Sequence, residues 1–398
     1  MFFTKNKLDP NLKVSIDGKY YKKYRVIIYC KNLPEVIEKK VKSYRGTLIH
    51  FIPLINCICA ILSPNAIEKI SEFPQVSYIS LDSLALLCGR GVLASNKISM
   101  QEGYKLTGKN ICIGIVDSGI YPHADLLNPK NKIKGFIDLI NEFKYPYDDN
   151  GHGTFMSGIL CGSGYLSKGV YKGIAEDSSI YCIKAFNSLG KGLVSDILFS
   201  IQTLIEKSNE YNIKILYLPF ELTVNSNFLT LLFSKIFDIA VKSNLTVVVP
   251  AGHNGNSEGS ISGIATLDNC ITVGGIDTTT DSIEPYKYSS SGPFGKLEKP
   301  DLVAAAVDIC STNSSVNYVS ERNGLKIYPK ALDTPYTFYS GTSCAAAYVS
   351  GVCALLYENN PTLTFKDLVS LLKVSCDLKD IPKCLQGAGI LDLNRLLS

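Results

Sequence analysis

Ile113-Gly114-Ile115-Val116-Asp117-Ser118-Gly119-Ile120 is the stretch that decides the fold. The residues ahead of Asp117 are apolar or glycine, with no polar alternation. An unbroken run of this kind marks a strand covered on both faces, as in a parallel sheet. The pattern predicts a strand over Ile111–Val116 and further strands over Ile180–Phe186, Ile213–Phe220, Leu245–Val249 and Ile271–Gly274. Helical periodicity separates them at His152–Cys161, Val194–Ser208, Phe228–Lys242, Ser343–Glu358 and Phe365–Cys376. Strands alternating with helices imply an α/β architecture, a doubly wound and mostly parallel sheet. Such sheets place function at the carboxyl ends of their strands. Asp117 stands at one of those ends, and Gly119 allows the turn that follows.

Toward the N-terminus the pattern changes. Tyr24–Tyr29 reads as a strand, Pro34–Tyr44 as a helix, Thr47–Phe51 and Ile55–Leu62 as two strands broken by Pro53, Pro64–Ile70 as a short helix, and Val76–Leu81 as a last strand. The order β-α-β-β-α-β describes a small ferredoxin-like α+β module. The expected organisation is a polar, loosely held extension over 1–23, the module over 24–82, a linker over 83–104 and the α/β domain over 105–398. Gly89-Arg90-Gly91 and Ser95-Asn96 give the linker the look of a cleavage region.

Composition narrows the function classes. The 398 residues are 46% hydrophobic and 19% charged, which is globular composition. A net charge of +4, spread along the chain, reads as solvated surface and argues against nucleic-acid binding. No apolar core follows the basic start MFFTKNKLDPN, so no secretory signal is expected. The longest apolar stretch, Phe51–Leu62, is interrupted by Pro53 and Asn56 and is too short to span a membrane. Thirteen cysteines, odd in number and without CxxC pairs, read as free thiols in a reducing cytoplasm. Cys57, Cys112, Cys182, Cys270 and Cys353 lie inside apolar patterns. Cys and His do not cluster at ligand spacing, so no metal site is expected.

Three segments carry chemistry. The first ends its strand on Asp117. The second is Asp149-Asn150-Gly151-His152-Gly153-Thr154, with His152 opening a helix. The third is Ser340-Gly341-Thr342-Ser343-Cys344-Ala345-Ala346-Ala347, with Ser343 opening a long apolar helix. Each alone suits a cap or a loop. Together they supply what acyl transfer needs: a hydroxyl nucleophile, a base titrating near neutrality, and a carboxylate to orient that base. A helix start aims free N–H groups at a developing oxyanion.

These segments, in the chain order Asp…His…Ser, resemble the subtilisin-like serine proteases. Tyr288-Ser289-Ser290-Ser291-Gly292-Pro293, Lys299-Pro300-Asp301-Leu302-Val303-Ala304 and Gly387-Ala388-Gly389-Ile390-Leu391-Asp392 extend the likeness over residues 24–398. It is greatest to cytoplasmic bacterial subtilases with an inhibitor-like propeptide. The resemblance implies a serine endopeptidase with Asp117, His152 and Ser343 as its triad. It further implies protein or peptide substrates, and a module that serves as the domain's own inhibitor and chaperone.

The likeness breaks at particular residues. His253, in Pro250-Ala251-Gly252-His253-Asn254-Gly255, takes the place of the family's oxyanion Asn, with Asn254 as the alternative donor. Pro219, Phe220 and Glu221 replace the family's substrate-pairing Ser-Leu-Gly. Phe155, Cys344, Ala347 and the Ala305-Ala306 pair are further departures. No cofactor is expected to be required; calcium is a possible ligand, but not at the usual tight site, because the loop Gly162–Gly173 lacks the Asn-rich calcium sequence. Two functions fit these residues. One is a working endopeptidase with an altered oxyanion hole, and the other a pseudoprotease that binds or regulates.

Overall fold

The computed structural model describes residues 7–52, 56–82, 106–223, 227–280, 282–292 and 298–397. Two units are distinguished, Met1–Cys88 and Gly89–Ser398. The expected linker, 83–104, lies outside the described residues.

In the first unit the strands are β1 (Tyr24–Cys30), β2 (Thr47–Ile52), β3 (Cys57–Leu62) and β4 (Val76–Leu81), in the sheet order β2-β3-β1-β4. All neighbours are antiparallel, with Ile28 opposite both Ile58 and Ile79. Tyr24, Val26, Ile28 and Cys30 point inward while Arg25 and Tyr29 face out, the alternation of a sheet with one wet face. Helix α2 (Pro34–Ser43) buries Ile37 and Val41, one helical turn apart. Helix α3 (Pro64–Ser71) buries Ile67 and Ile70, and the Ser63 side chain caps it by accepting from Ala66 N. One expectation fails here. Residues 10–17 are not a loose extension but a helix, α1 (Pro10–Asp17). Its Leu12 is fully buried and Ile16 nearly so, in the same cluster as Val26 and Ile28. Burying one leucine is worth about 1.5–3 kcal/mol. The Tyr24 hydroxyl donates to the Ser15 carbonyl at 2.7 Å and ties the helix down. The Leu12/Ile16 pair forms a short apolar stripe that the polar, Lys-rich sequence of residues 1–23 obscures.

The second unit is built on a long sheet. Its strands are β5 (Cys112–Asp117), β6 (Ile133–Asp138), β7 (Ser179–Lys184), β8 (Ile213–Tyr217), β9 (Thr246–Pro250), β10 (Ile271–Asp277), β11 (Glu284–Pro285) and β12 (Leu302–Ala305). Two antiparallel pairs stand outside it: β13 (Ile309–Thr312) with β16 (Tyr336–Tyr339), and β14 (Glu321–Arg322) with β15 (Leu325–Lys326). The short β17 (Cys376–Asp377) and β18 (Ile390–Leu391) complete the main sheet. Its order is β17-β18-β12-β10-β9-β8-β5-β7-β6, parallel from β18 to β6, with β17 and β11 antiparallel.

The helices are α4 (Ala124–Leu127), α5 (His152–Cys161), α6 (Val194–Tyr211), α7 (Asn227–Lys242), α8 (Thr342–Asn359), α9 (Phe365–Val374), α10 (Lys383–Gln386) and α11 (Leu393–Leu397). Strand β5 shows why its sequence lacks alternation. Ile113 and Ile115 pack into the core with α5 and α8, while Cys112 and Val116 pack with Leu204 of α6 and Phe233 of α7. Helix α8 is buried around nearly its whole circumference, hence its run of small residues. A methyl on Gly351 would come 2.6 Å from Ile174 Cβ. The chain order runs one way from β5 through β7 and β6 and the other way through β8 and β9. The carboxyl end of β5 is therefore a switch point, where such sheets open a crevice. Strands β6 and β11 to β18 were not among the predicted ones, and Cys376, expected to end a helix, instead opens β17.

Candidate active site

Asp117 ends β5 in that crevice and is 4% exposed. Its backbone carbonyl accepts from the Ala185 and Phe186 amides beyond β7, which fixes where the side chain begins. His152 opens α5, preceded by Gly151 at φ 100°, a left-handed conformation that favours glycine. A methyl on Gly153 would collide with the Gly119 carbonyl and crowd the Asp117 side chain, so glycine there lets the helix start approach the strand end. The result is His152 Nδ1 at 2.9 Å from both carboxylate oxygens of Asp117. Burial pulls the His152 pKa down, but the charge and hydrogen bond of Asp117, with the charge of Asp148, outweigh it. The net shift is upward from 6.5.

Sequence reasoning missed two residues behind this pair. Asp148 is fully buried, and its Oδ1 accepts from Ser118 Oγ (2.9 Å), Gly151 N (2.8 Å) and Asn150 N (3.2 Å). Its Oδ2 accepts from Thr154 N (2.8 Å) and Thr154 Oγ1 (2.6 Å). One carboxylate thus ties the turn after β5 to both sides of His152. Lys184 is also fully buried, at the end of β7 beside Asp117. It donates to Asp149 Oδ1 at 2.6 Å and to the Phe186 carbonyl at 3.0 Å, and it caps the Tyr147 ring. A lysine closing the apolar run Ile180-Tyr181-Cys182-Ile183 was the available signal, since such residues are almost never buried unpaired.

Ser343 sits in the first turn of α8, where backbone N–H groups have no intrahelical acceptor. The Tyr217 hydroxyl, from the end of β8, donates to the Ser343 carbonyl at 2.8 Å. Burial, with the nearby charge of Asp117, holds that phenol protonated. Asp117, His152 and Ser343 line one cleft of about 780 Å³, together with Pro219, Phe220, Glu221 and His253. Tyr339 packs edge-on against the His152 ring, centroids 5.6 Å apart, and against Phe155 below it. Cys344, next to Ser343, is fully buried, and burial pushes its thiol pKa well up, so it is inert packing.

The two candidate oxyanion donors part company. The His253 ring is exposed, stacks on Tyr288 at 4.7 Å and lines the cleft. The Asn254 amide turns away and donates to the Ser260 carbonyl at 3.3 Å, and Asn254 is not among the cleft residues. Asn254 is therefore set aside as a donor, because its side chain serves the loop. The substrate segment also differs from a pairing edge. Pro219 has no N–H, and the Phe220 N–H is spent on the Leu218 carbonyl at 3.0 Å. What this segment offers the cleft is side chains. Glu221 Oε2 accepts from His253 N at 3.1 Å. Among the described residues, no group of three or more His, Cys, Asp or Glu is placed to hold a metal.

Twelve cysteines are described, all unpaired; ten are buried, and Cys376 and Cys384 are half-buried. Among the described residues no helix is long and apolar enough to cross a membrane.

Comparison with known proteins identifies the family. Residues 108–389 match the subtilase family of peptidases, Peptidase_S8. The chain is 30% identical over 370 residues to serine protease AprX of Bacillus subtilis (strain 168), covering 89% of this chain and 81% of that one. It is 26% identical over 317 residues to subtilisin E of the same organism, covering 78% and 72%. Among solved structures, sphericase superposes with a TM-score of 0.63 at 22% identity, over 78% of this chain and all of that one. A cold-adapted subtilisin-like serine proteinase gives 0.54 at 21% identity, over 72% and 89%. Family match, relatives and sheet order agree, and the chain belongs to the subtilase family of serine peptidases.

Proposed function

We propose that the protein is a serine endopeptidase that hydrolyses protein or peptide substrates through an acyl-enzyme on Ser343. The observation that carries this reading is His152 Nδ1 anchored at 2.9 Å on both oxygens of Asp117, in a cleft shared with Ser343. A carboxylate can only accept, so Nδ1 carries the hydrogen and Nε2 keeps its lone pair. Nε2 then takes the Ser343 proton as Oγ attacks the carbonyl carbon, and returns it to the leaving amine. Asp117, at 4% exposure, stabilises the imidazolium between those two events. The oxyanion is held by the Ser343 N–H at the positive end of α8, with His253 as the side-chain donor. Water repeats the sequence on the acyl-enzyme. Side chains, backbone donors and water suffice, and no cofactor is required.

The first unit is, in this reading, the propeptide of the second, its inhibitor and folding template. Support comes from its ferredoxin-like sheet order just ahead of the protease domain. The free thiols support a reducing, cytoplasmic setting. The test is labelling of the full chain with a fluorophosphonate probe, with Ser343→Ala as control. Label on the native chain and none on the variant is expected, alongside hydrolysis of an unfolded protein substrate. If the native chain neither labels nor cleaves, a binding or regulatory role replaces the enzymatic one.

A further inference from the structure

Apart from Asp117, Glu221 is the one acidic side chain among the described residues lining the cleft. It is exposed, so a substrate can reach it. Its placement is defined on one side only. Oε2 accepts from His253 N at 3.1 Å and packs on the backbone of Gly252, where an added methyl would come 2.8 Å away. The other oxygen is bonded to none of the described residues, and no Lys, Arg or His among them forms an ion pair with this carboxylate. An acid that only braced the loop would need no opening toward the cleft.

The carboxylate is also close to the chemistry in connectivity. Gly252, on which it packs, accepts at its carbonyl from Thr342 Oγ1 at 3.2 Å, and Thr342 precedes Ser343. Because Glu221 and Ser343 line the same cleft and are linked through the 252–253 backbone, the side chain beside the scissile bond is the one this connectivity sets against Glu221. The backbone beside Glu221 contributes little there, because Pro219 and Phe220 present no free N–H. Neighbouring Phe186 and Phe220 add apolar wall for the methylene stem of a long side chain.

From this geometry we propose that Glu221 selects the substrate, pairing with the cationic side chain of a lysine or arginine whose carbonyl Ser343 attacks. This rests on the endopeptidase reading above. A second consequence follows for the rate. With no cation bound, the Glu221 charge lies one hydrogen bond from the backbone of the oxyanion residue and opposes the developing negative charge. A bound cation cancels that opposition, so the preference appears in kcat as well as in KM.

The experiment uses the purified full chain and fluorogenic peptides that differ only in the residue before the leaving group: arginine, lysine, citrulline or glutamate. Citrulline keeps the shape of arginine and removes the charge. The expected ratio of kcat/KM for arginine over citrulline is about ten- to hundredfold, the range for a hydrogen-bonded charge. Glu221→Gln should bring the ratio to about one, and Glu221→Lys should turn the preference toward glutamate. Fluorophosphonate labelling of Ser343 verifies that each variant keeps an intact site. A ratio near one in the native chain, or an unchanged ratio in labelled Glu221→Gln, overturns the assignment and leaves the protease reading standing. Absence of both labelling and turnover in the native chain overturns the two together.

Discussion

Replacing Asp148 by asparagine keeps the side chain's size and removes a charge from a fully buried position. The five donors on this carboxylate divide into Ser118 Oγ, Gly151 N and Asn150 N on Oδ1, and Thr154 N and Oγ1 on Oδ2. An amide has one accepting oxygen, so its NH2 must face one of these sets. Either the two Thr154 bonds or the three from Ser118, Gly151 and Asn150 are lost, so at least two bonds go. Each bond to a charged group is worth about 1.5–3 kcal/mol, so the loss is about 3–6 kcal/mol. That agrees with the roughly 3–5 kcal/mol for breaking a buried charged network. The effect is local, and the chain has two units, so global melting is a poor readout. Native-state hydrogen exchange on the Ser343→Ala background reads it directly. Protection of the Gly151 and Thr154 amides should fall by at least about 10²-fold, taking a factor of ten per 1.4 kcal/mol. A kinetic sign also follows. The Asp148 charge helps raise the His152 pKa, and His152 must be neutral to act as base. Removing the charge lowers that pKa, so the acid limb of kcat/KM moves to lower pH while turnover drops from poorer positioning. Unchanged protection together with an unmoved acid limb would refute Asp148 as the anchor of the His152 turn.

Two further predictions are more direct. His253→Asn puts the family's amide donor back beside the oxyanion, and turnover is expected to rise about tenfold or more, within the roughly 10²–10³ associated with that donor. A fall instead would mean that the imidazole on Tyr288 has a positive role. Residues 106–398 expressed alone should give little folded protein, rescued by residues 7–82 supplied in trans. Equal folding rates and yields with and without the module would end the propeptide reading.

Much of the fold was legible in the sequence because burial leaves a period. The span His152–Cys161 coincides with the helix observed, and the run before Asp117 lies one residue from its strand. The module's strands and helices fall close to the predicted bounds, since a two-residue period and a 3.6-residue period are hard to confuse. Strands β6, β12 and β18 escaped because edge position, shortness or glycine weakens the period. Helix α1 escaped because Leu12 and Ile16, with Lys13 and the exposed Val14 between them, make a stripe only once β1 and β4 are there to receive it.

The site divides along the same line. Sequence alone determined which residue types stand at strand end, helix start and helix start, and so named Asp117, His152 and Ser343. It also located the unusual residues His253 and Glu221. Tertiary structure decided what those residues face. Asn254 and His253 are neighbours in the chain, yet one amide serves Ser260 while the other's ring meets the cleft. Asp148 and Lys184 carry no motif, and their importance comes from complete burial among partners distant in the chain, such as the Ser118 carbonyl, 66 positions from Lys184. The physical reason is one of range. Backbone periodicity is local and written in consecutive residues, whereas a hydrogen bond's direction and a charge's desolvation depend on every segment that folding brings alongside.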